Sequence, residues 1–140
     1  MHLQLITLSG VSVDKEIYEL IAPTTAGEIA VFPGHEPLVT MAAPGALAVR
    51  YNKDDVDARL QYFAIGGGVI EINPTNIRVL VDEADLADDI SETEAKAALE
   101  RATKLRDSAS NQVELEKATQ LIDRHAVRLR VAELQRRRRR

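Results

Sequence analysis

Few residues in this sequence could do chemistry, and they are poorly spaced for it. The three histidines, His2, His35 and His125, stand far apart with no ligand spacing between them. His35-Glu36 lacks the second histidine of a zincin-type helix motif, and Pro33 and Pro37 argue against a helix there. The chain has no cysteine, which excludes disulfides, thiolate chemistry and cysteine metal sites. Gly66-Gly67-Gly68 has neither the spaced glycines of a dinucleotide fingerprint nor the Lys-Ser or Lys-Thr of a P-loop, so a turn or a close backbone approach is expected. No Gly-x-Ser-x-Gly elbow exists, and the serines fall in turns and helix starts. Asp54, Asp55 and Asp57 lack calcium-loop spacing and read as a solvated turn. No catalytic, metal-binding or cofactor-binding residue is assigned, and the chain is expected not to be an enzyme by itself.

The elements around these residues change character partway along the chain. All seven glycines, all five prolines and every aromatic residue lie before residue 75. This first part reads as short strands at 2–8, 15–22, 27–32, 38–42, 46–51, 58–65, 69–72 and 76–81. Ser9-Gly10, Pro33-Gly34, Pro44-Gly45, the Asn52–Asp55 cluster, the glycine run and Asn73-Pro74 punctuate them. No helix-length segment separates the strands, so an antiparallel β-sandwich or small barrel is expected over residues 1–85.

Residues 86–140 follow a helical period. Ser91 and Glu94 form one capping box and Asn111 and Glu114 a second, opening helices over about 91–108 and 111–135. The apolar stripes are Ala95, Ala98, Leu99, Ala102 and Leu105 on the first helix, and Leu115, Ala118, Ile122, His125, Leu129 and Ala132 on the second. Glu92–Lys96 and Glu100–Lys104 are spaced for ion pairs on the wet side. The helices should pack antiparallel as an α-helical hairpin. Its alanine-rich seam buries little apolar area, so the hairpin needs a partner surface and can exchange between packed and extended states.

Charge divides along the same line. Residues 1–85 carry twelve acidic and five basic side chains; residues 86–140 carry ten and thirteen, including Arg136–Arg140. An acidic front with few aromatics does not suit nucleic acid, and mixed charge on an alanine-rich helix does not suit a membrane surface. MHLQLITLSG lacks a basic leader and a long apolar core, so no secretory signal is expected. No apolar window approaches the roughly eighteen residues of a membrane span. What remains is a noncatalytic interaction module, the alternative being a small β-barrel binding module for nucleic acid or a small ligand.

The order of several motifs is more specific. GEIAVFPGHEPLVT at 27–40, PGALAV at 44–49, FAIGGGVIEI at 63–72, NIRVLVDEA at 76–84, EAKAALERA at 94–102 and LRVAEL at 129–134 together resemble the epsilon subunit of the bacterial F-type ATP synthase, called delta in mitochondria. The resemblance implies a ten-stranded sandwich followed by a helical hairpin. It also implies a rotor-stalk subunit at the cytoplasmic face of the bacterial cell membrane, peripheral to it, helping couple proton flow to ATP synthesis. Its implied partners are the gamma subunit, the c-subunit ring and, through an extended hairpin that can inhibit hydrolysis, the alpha/beta catalytic head. No nucleic-acid partner is implied. Glu28 and His35 take the positions that the family turns toward the c ring. One departure concerns nucleotide: where some members open the hairpin with Ile or Leu, Asp, two variable residues, Arg and Ala, this chain reads Ile90-Ser91-Glu92-Thr93-Glu94-Ala95. Losing the guanidinium and gaining a carboxylate predicts no tight ATP site. The Arg136–Arg140 run is a further departure. It is expected either to be solvated or to meet acidic surface of the catalytic head.

Overall fold

A computed structural model describes residues 1–139. Ten strands come first: β1 (His2–Thr7), β2 (Gly10–Glu16), β3 (Glu19–Thr24), β4 (Gly27–Val31), β5 (Leu38–Ala42), β6 (Gly45–Arg50), β7 (Gln61–Ile65), β8 (Gly68–Ile72), β9 (Asn76–Val81) and β10 (Ala84–Leu86). Two helices follow, α1 (Glu92–Asp107) and α2 (Gln112–Arg138). The strands form two layers, β4-β3-β6-β7-β10 and β5-β8-β9-β1-β2, joined where Thr24 of β3 meets Ala42 of β5. Leu3, Leu5, Leu20, Val31, Leu47, Val49, Ile70, Ile77 and Val79 are fully buried between them. Alternate residues of strands such as β1, β3 and β9 face this core, as the two-residue period of a β-strand requires.

Three strand expectations need correction. Residues 15–22 are not one strand: β2 ends at Glu16 and β3 begins at Glu19 in the other layer. The crossing at Ile17-Tyr18 is fixed by Ile17 N–H donating to Met1 O at 2.8 Å and Tyr18 N–H to Arg50 O at 2.9 Å. Ile17 stays buried through the bend, so the apolar pattern runs on unbroken. Second, β2 buries only Val13, and β10 is three residues long; neither leaves an alternating signal. Third, the sheet is not wholly antiparallel, because β1 pairs with β9 in parallel, placing Leu3 beside Ile77 and Leu5 beside Val79.

The hairpin lies on the outer face of the β7 layer. Ala48, Leu60, Tyr62 and Ala64 from the sheet side pack with Ala87, Ile90, Ala95, Val131 and Ala132 in a second apolar cluster. Ser91 Oγ accepts from Glu94 N–H at 3.2 Å, and Asn111 Oδ1 accepts from Glu114 N–H at 2.9 Å. The reciprocal half of the second box is displaced by one residue: the Glu114 carboxylate accepts from Ser110 N–H and Oγ–H, at 2.9 and 3.0 Å. Those two bonds hold the Glu114 carboxyl below its usual range.

The seam is tight near the sheet and loose at its tip. Ala95, Ala102 and Ala118 are buried, and Leu99, Ile122 and Leu129 are half-buried. Leu105 and Leu115 are corrections to the expected stripe, being 55% and 37% exposed. The small Ala102 and Ala118 bring the helices together there, but no sheet lies beyond to cover the leucines. Glu92, expected to pair along its own helix, instead meets Arg136 of α2 at 2.9 Å.

Candidate interaction surfaces

The layer opposite the hairpin carries an uncovered apolar row. Met41 of β5 is registered with Val69 of β8, Val69 with Leu80 of β9, Leu80 with Ile6 of β1, and Ile6 with Val11 of β2. Met41, Val69, Leu80 and Ile6 alternate with the buried Ala42, Ile70, Val79, Val81 and Leu5, so they point away from the core, and Val11 stands exposed beside Ile6 across a register shift in the β1–β2 pair. Met41 is 53% exposed and Val11 58%, and Val69, Leu80 and Ile6 are partly exposed between them. The adjacent row is Val39, Glu71, Arg78, Gln4 and Asp14, in which Arg78 meets Glu71 at 3.6 Å. An apolar stripe across five strands beside a polar one has the makeup of a protein-docking face.

Glu28 and His35 are not brought together. They sit toward opposite ends of β4, roughly 13 Å of extended chain apart plus a turn. Pro33 and Gly34 occupy the centre of a β-turn closed by His35 N–H donating to Phe32 O at 3.2 Å, and Gly34 has φ +87°, the left-handed value that the third position of a type II turn requires. Gly34 N–H ties this turn to Pro74 O at 2.9 Å. The His35 ring points Nδ1 at Glu36 O, 2.6 Å away; a carbonyl only accepts, so Nδ1 carries a proton. Glu28 is exposed on the outer face and lines a cleft of about 340 Å³ with Ile21, Tyr62, Leu134 and Arg138. Glu28 lies on a sheet edge, because among the described residues β4 pairs only with β3, whereas His35 lies past the end of that strand, in the turn tied to Pro74.

Several arginines of α2 face carboxylates of the sandwich and of the connection into α1. Arg124 meets Glu83 at 2.9 Å, Arg128 meets Asp85 at 3.5 Å, Arg136 meets Glu92, and Arg138 meets Asp57 at 3.4 Å. Arg139 binds Asp88 with both terminal nitrogens, at 2.7 and 2.9 Å. Arg136, Arg138 and Arg139 are thus paired within the chain while remaining exposed; Arg140 lies outside the described residues. Favourable charge at the helix C-terminus and these partners carry α2 to Arg138, past the expected 135. Asp57 also meets Arg50 at 2.8 Å, and that guanidinium holds its carboxyl below the usual range.

A larger cleft of about 610 Å³ lies between α2 and the β7–β8 end, but its charged walls include the Arg124–Glu83 and Arg128–Asp85 pairs. Four of its charged side chains are thus engaged with one another within the chain. At the start of α1 the Ser91 hydroxyl is engaged by the Glu94 backbone N–H, while the Glu94 carboxylate makes no bond back to Ser91 among the described residues. His2 pairs with Asp14 and Glu16, whose hydrogen bonds raise its pKa above 6.5, and none of the three histidines shares an element with another.

The residue that sequence reasoning missed is Gln135, 3% exposed. Its Nε2–H donates to Leu60 O and its Oε1 accepts from Tyr62 N–H, both at 3.0 Å. Position 135 continues the three-residue step from Leu129 and Ala132, which was the available signal.

A sandwich with one face closed by its own helical hairpin and the other presenting an apolar row defines a docking subunit of a larger assembly. The β-sandwich domain model of the ATP synthase delta/epsilon chain matches residues 1–87. The ATP synthase epsilon chain of Herpetosiphon aurantiacus is 36% identical over 139 residues, covering 99% of this chain and 98% of the relative. That of Chloroflexus aggregans is 31% identical, covering 96% and 93%. The chain belongs to the ATP synthase delta/epsilon family. In fold it is similar to a chain of the Euglena gracilis mitochondrial ATP synthase (OSCP/F1/c-ring), with a TM-score of 0.77 at 22% identity over 94% of this chain and 79% of that one. A chain of the Tetrahymena thermophila central stalk and c ring matches at TM-score 0.56, 12% identical, over 96% and 94%.

Proposed function

We propose that this chain is a noncatalytic central-stalk subunit of an F-type ATP synthase, peripheral to the cytoplasmic face of a bacterial cell membrane, that helps couple proton translocation to ATP synthesis. The observation that carries this reading is the Met41–Val69–Leu80–Ile6–Val11 row, a docking face left open by a family member whose opposite face holds its own hairpin. The gamma subunit is the partner assigned to that row. The edge strand β4 is assigned to the c-subunit ring: one surface laid along this edge would meet Glu28 near one end and His35 beyond the other, with the Pro33-Gly34 turn holding the histidine at little ordering cost. In the closed position the hairpin packs on the sandwich; released, it would reach the alpha/beta catalytic head and restrain hydrolysis. Residues 1–85 then act as the docking domain and 86–140 as the movable one.

Adding the full chain to an ATP synthase complex depleted of this subunit should restore proton-driven ATP synthesis, and Glu28→Lys should restore it poorly. No restoration by the wild-type chain would refute the stalk assignment. Full restoration by Glu28→Lys would refute the placement of the c ring along β4 while leaving the gamma face standing.

A further inference from the structure

Gln135 binds a part of β7 that its neighbouring strand does not serve. β10 pairs with β7 only at Phe63–Ile65, and after Leu86 the chain turns into the single helical turn Ala87–Asp89. The carbonyl of Leu60 and the N–H of Tyr62 lie just past that end, on the strand edge, and Gln135 takes both. A primary amide offers an acceptor and a donor side by side, so one side chain can serve both groups. The side chain therefore covers the stretch of the β7 edge that β10 leaves open.

We propose that Gln135 is the latch that sets the closed state of the hairpin, an amide standing in for a strand at the edge of β7. Opening the hairpin leaves two backbone groups without their partner and uncovers Val131, Ala132 and the sheet face of Ala48, Tyr62 and Ala64. The latch thus governs how often that apolar face and helix are available to any partner, whichever one that is.

The surrounding arginines act differently. Arg136, Arg138 and Arg139 pair with Glu92, Asp57 and Asp88 through side chains 28–60% exposed. Pairs of this kind weaken as salt rises. The Gln135 bonds are uncharged and buried, so salt strips the rim and leaves the latch.

The test is amide exchange of the full chain by NMR. Gln135→Met keeps side-chain length and removes both bonds. Tyr62 N–H should then exchange about tenfold faster or more, the factor expected for one lost buried hydrogen bond, with Ile70 and Val79 changed less than about twofold. Gln135→Glu adds a signature that packing alone would not give. Ionised, it repels Leu60 O; protonated, it can donate there and accept from Tyr62 N–H. Corrected for intrinsic rates, Tyr62 protection should therefore return as pH falls through the carboxyl range. Wild-type protection of Tyr62 should survive about 0.5 M salt, where the Debye length is only a few ångströms. Unchanged Tyr62 exchange in Gln135→Met, equal acceleration of Ile70 and Val79, or loss of wild-type Tyr62 protection in salt would each overturn the latch.

Discussion

Replacing Gly68 with alanine should damage this fold far more than the same change at Gly66 or Gly67. Gly68 opens β8 between two strands, opposite Ala42 of β5 and Val81 of β9. A Cβ built there would overlap the carbonyl oxygen of Leu80 and lie 2.8 Å from Val81 Cα. Carbon atoms rest at roughly 3.5–4.0 Å, so β9 would have to retreat by about an ångström, and the obstacle is backbone that cannot rotate aside. The same strand pair aligns Ile70 with Val79 and Ile72 with Ile77 in the core. Gly68→Ala should therefore cost about 3 kcal/mol, the upper end for an overpacked site, out of a total of roughly 5–15 kcal/mol for a domain. A Cβ at Gly66 or Gly67 meets nothing nearer than 3.6 Å. Those substitutions should be neutral or stabilise by up to about 1 kcal/mol through the unfolded chain. Urea unfolding of the wild type and three variants measures this directly. The steric reasoning fails if Gly68→Ala unfolds within about 0.5 kcal/mol of wild type, or if Gly66→Ala is equally damaging.

Val131 is fully buried where α2 meets the sheet, so Val131→Ala should loosen hairpin docking by about 2 kcal/mol, seen as faster exchange of α2 amides with β8 and β9 unaffected. His125 has its pKa pushed below 6.5 by burial and by Arg124, Arg128 and Arg101, so its neutral form favours the folded chain. Stability from this group is present above pH 6.5 and falls as pH drops below it; His125→Gln should flatten that part of the pH profile of hairpin exchange. His2 works in the opposite sense: its raised pKa adds stability below pH 6.5 that is lost as pH climbs through the raised value, and Asp14→Asn should weaken that trend in thermal melts. Calorimetry should find no micromolar ATP binding to the isolated chain, because Ser91 and Glu94 replace the acid and the arginine of a nucleotide-binding start; a micromolar site would contradict this.

Local chemistry was legible in the sequence, and long-range use of ordinary residues was not. Pro33-Gly34 marks its turn because a proline and a left-handed glycine specify it within four residues. Ser91 and Asn111 mark helix starts for the same kind of reason. The break at Ile17-Tyr18 carries no glycine, proline or asparagine, since its geometry is imposed by Met1 and Arg50, distant in sequence. β2 escaped notice because an edge strand with one buried valine has no alternation to detect. The uneven charge of the two halves was plain, but a count of charges does not say that Arg124, Arg128, Arg136, Arg138 and Arg139 answer carboxylates of the same chain. Gln135 sits beside the arginine run and looks solvated until the three-residue step from Ala132 is followed one place further. The apolar row of the open face needs the register of five strands, which no single segment contains.

Capture of the gamma subunit by the intact chain, compared with its Leu80→Glu variant, tests the central claim most directly. Leu80 lies mid-row and only partly exposed, and its partner Val69 carries the row on to Met41. The wild-type chain should hold gamma as a stable one-to-one pair, and Leu80→Glu should bind it roughly a hundredfold more weakly while keeping its fold, with Gln135→Met binding as wild type. Equal capture by Leu80→Glu, or no capture by the wild-type chain, would contradict the assignment of the open face.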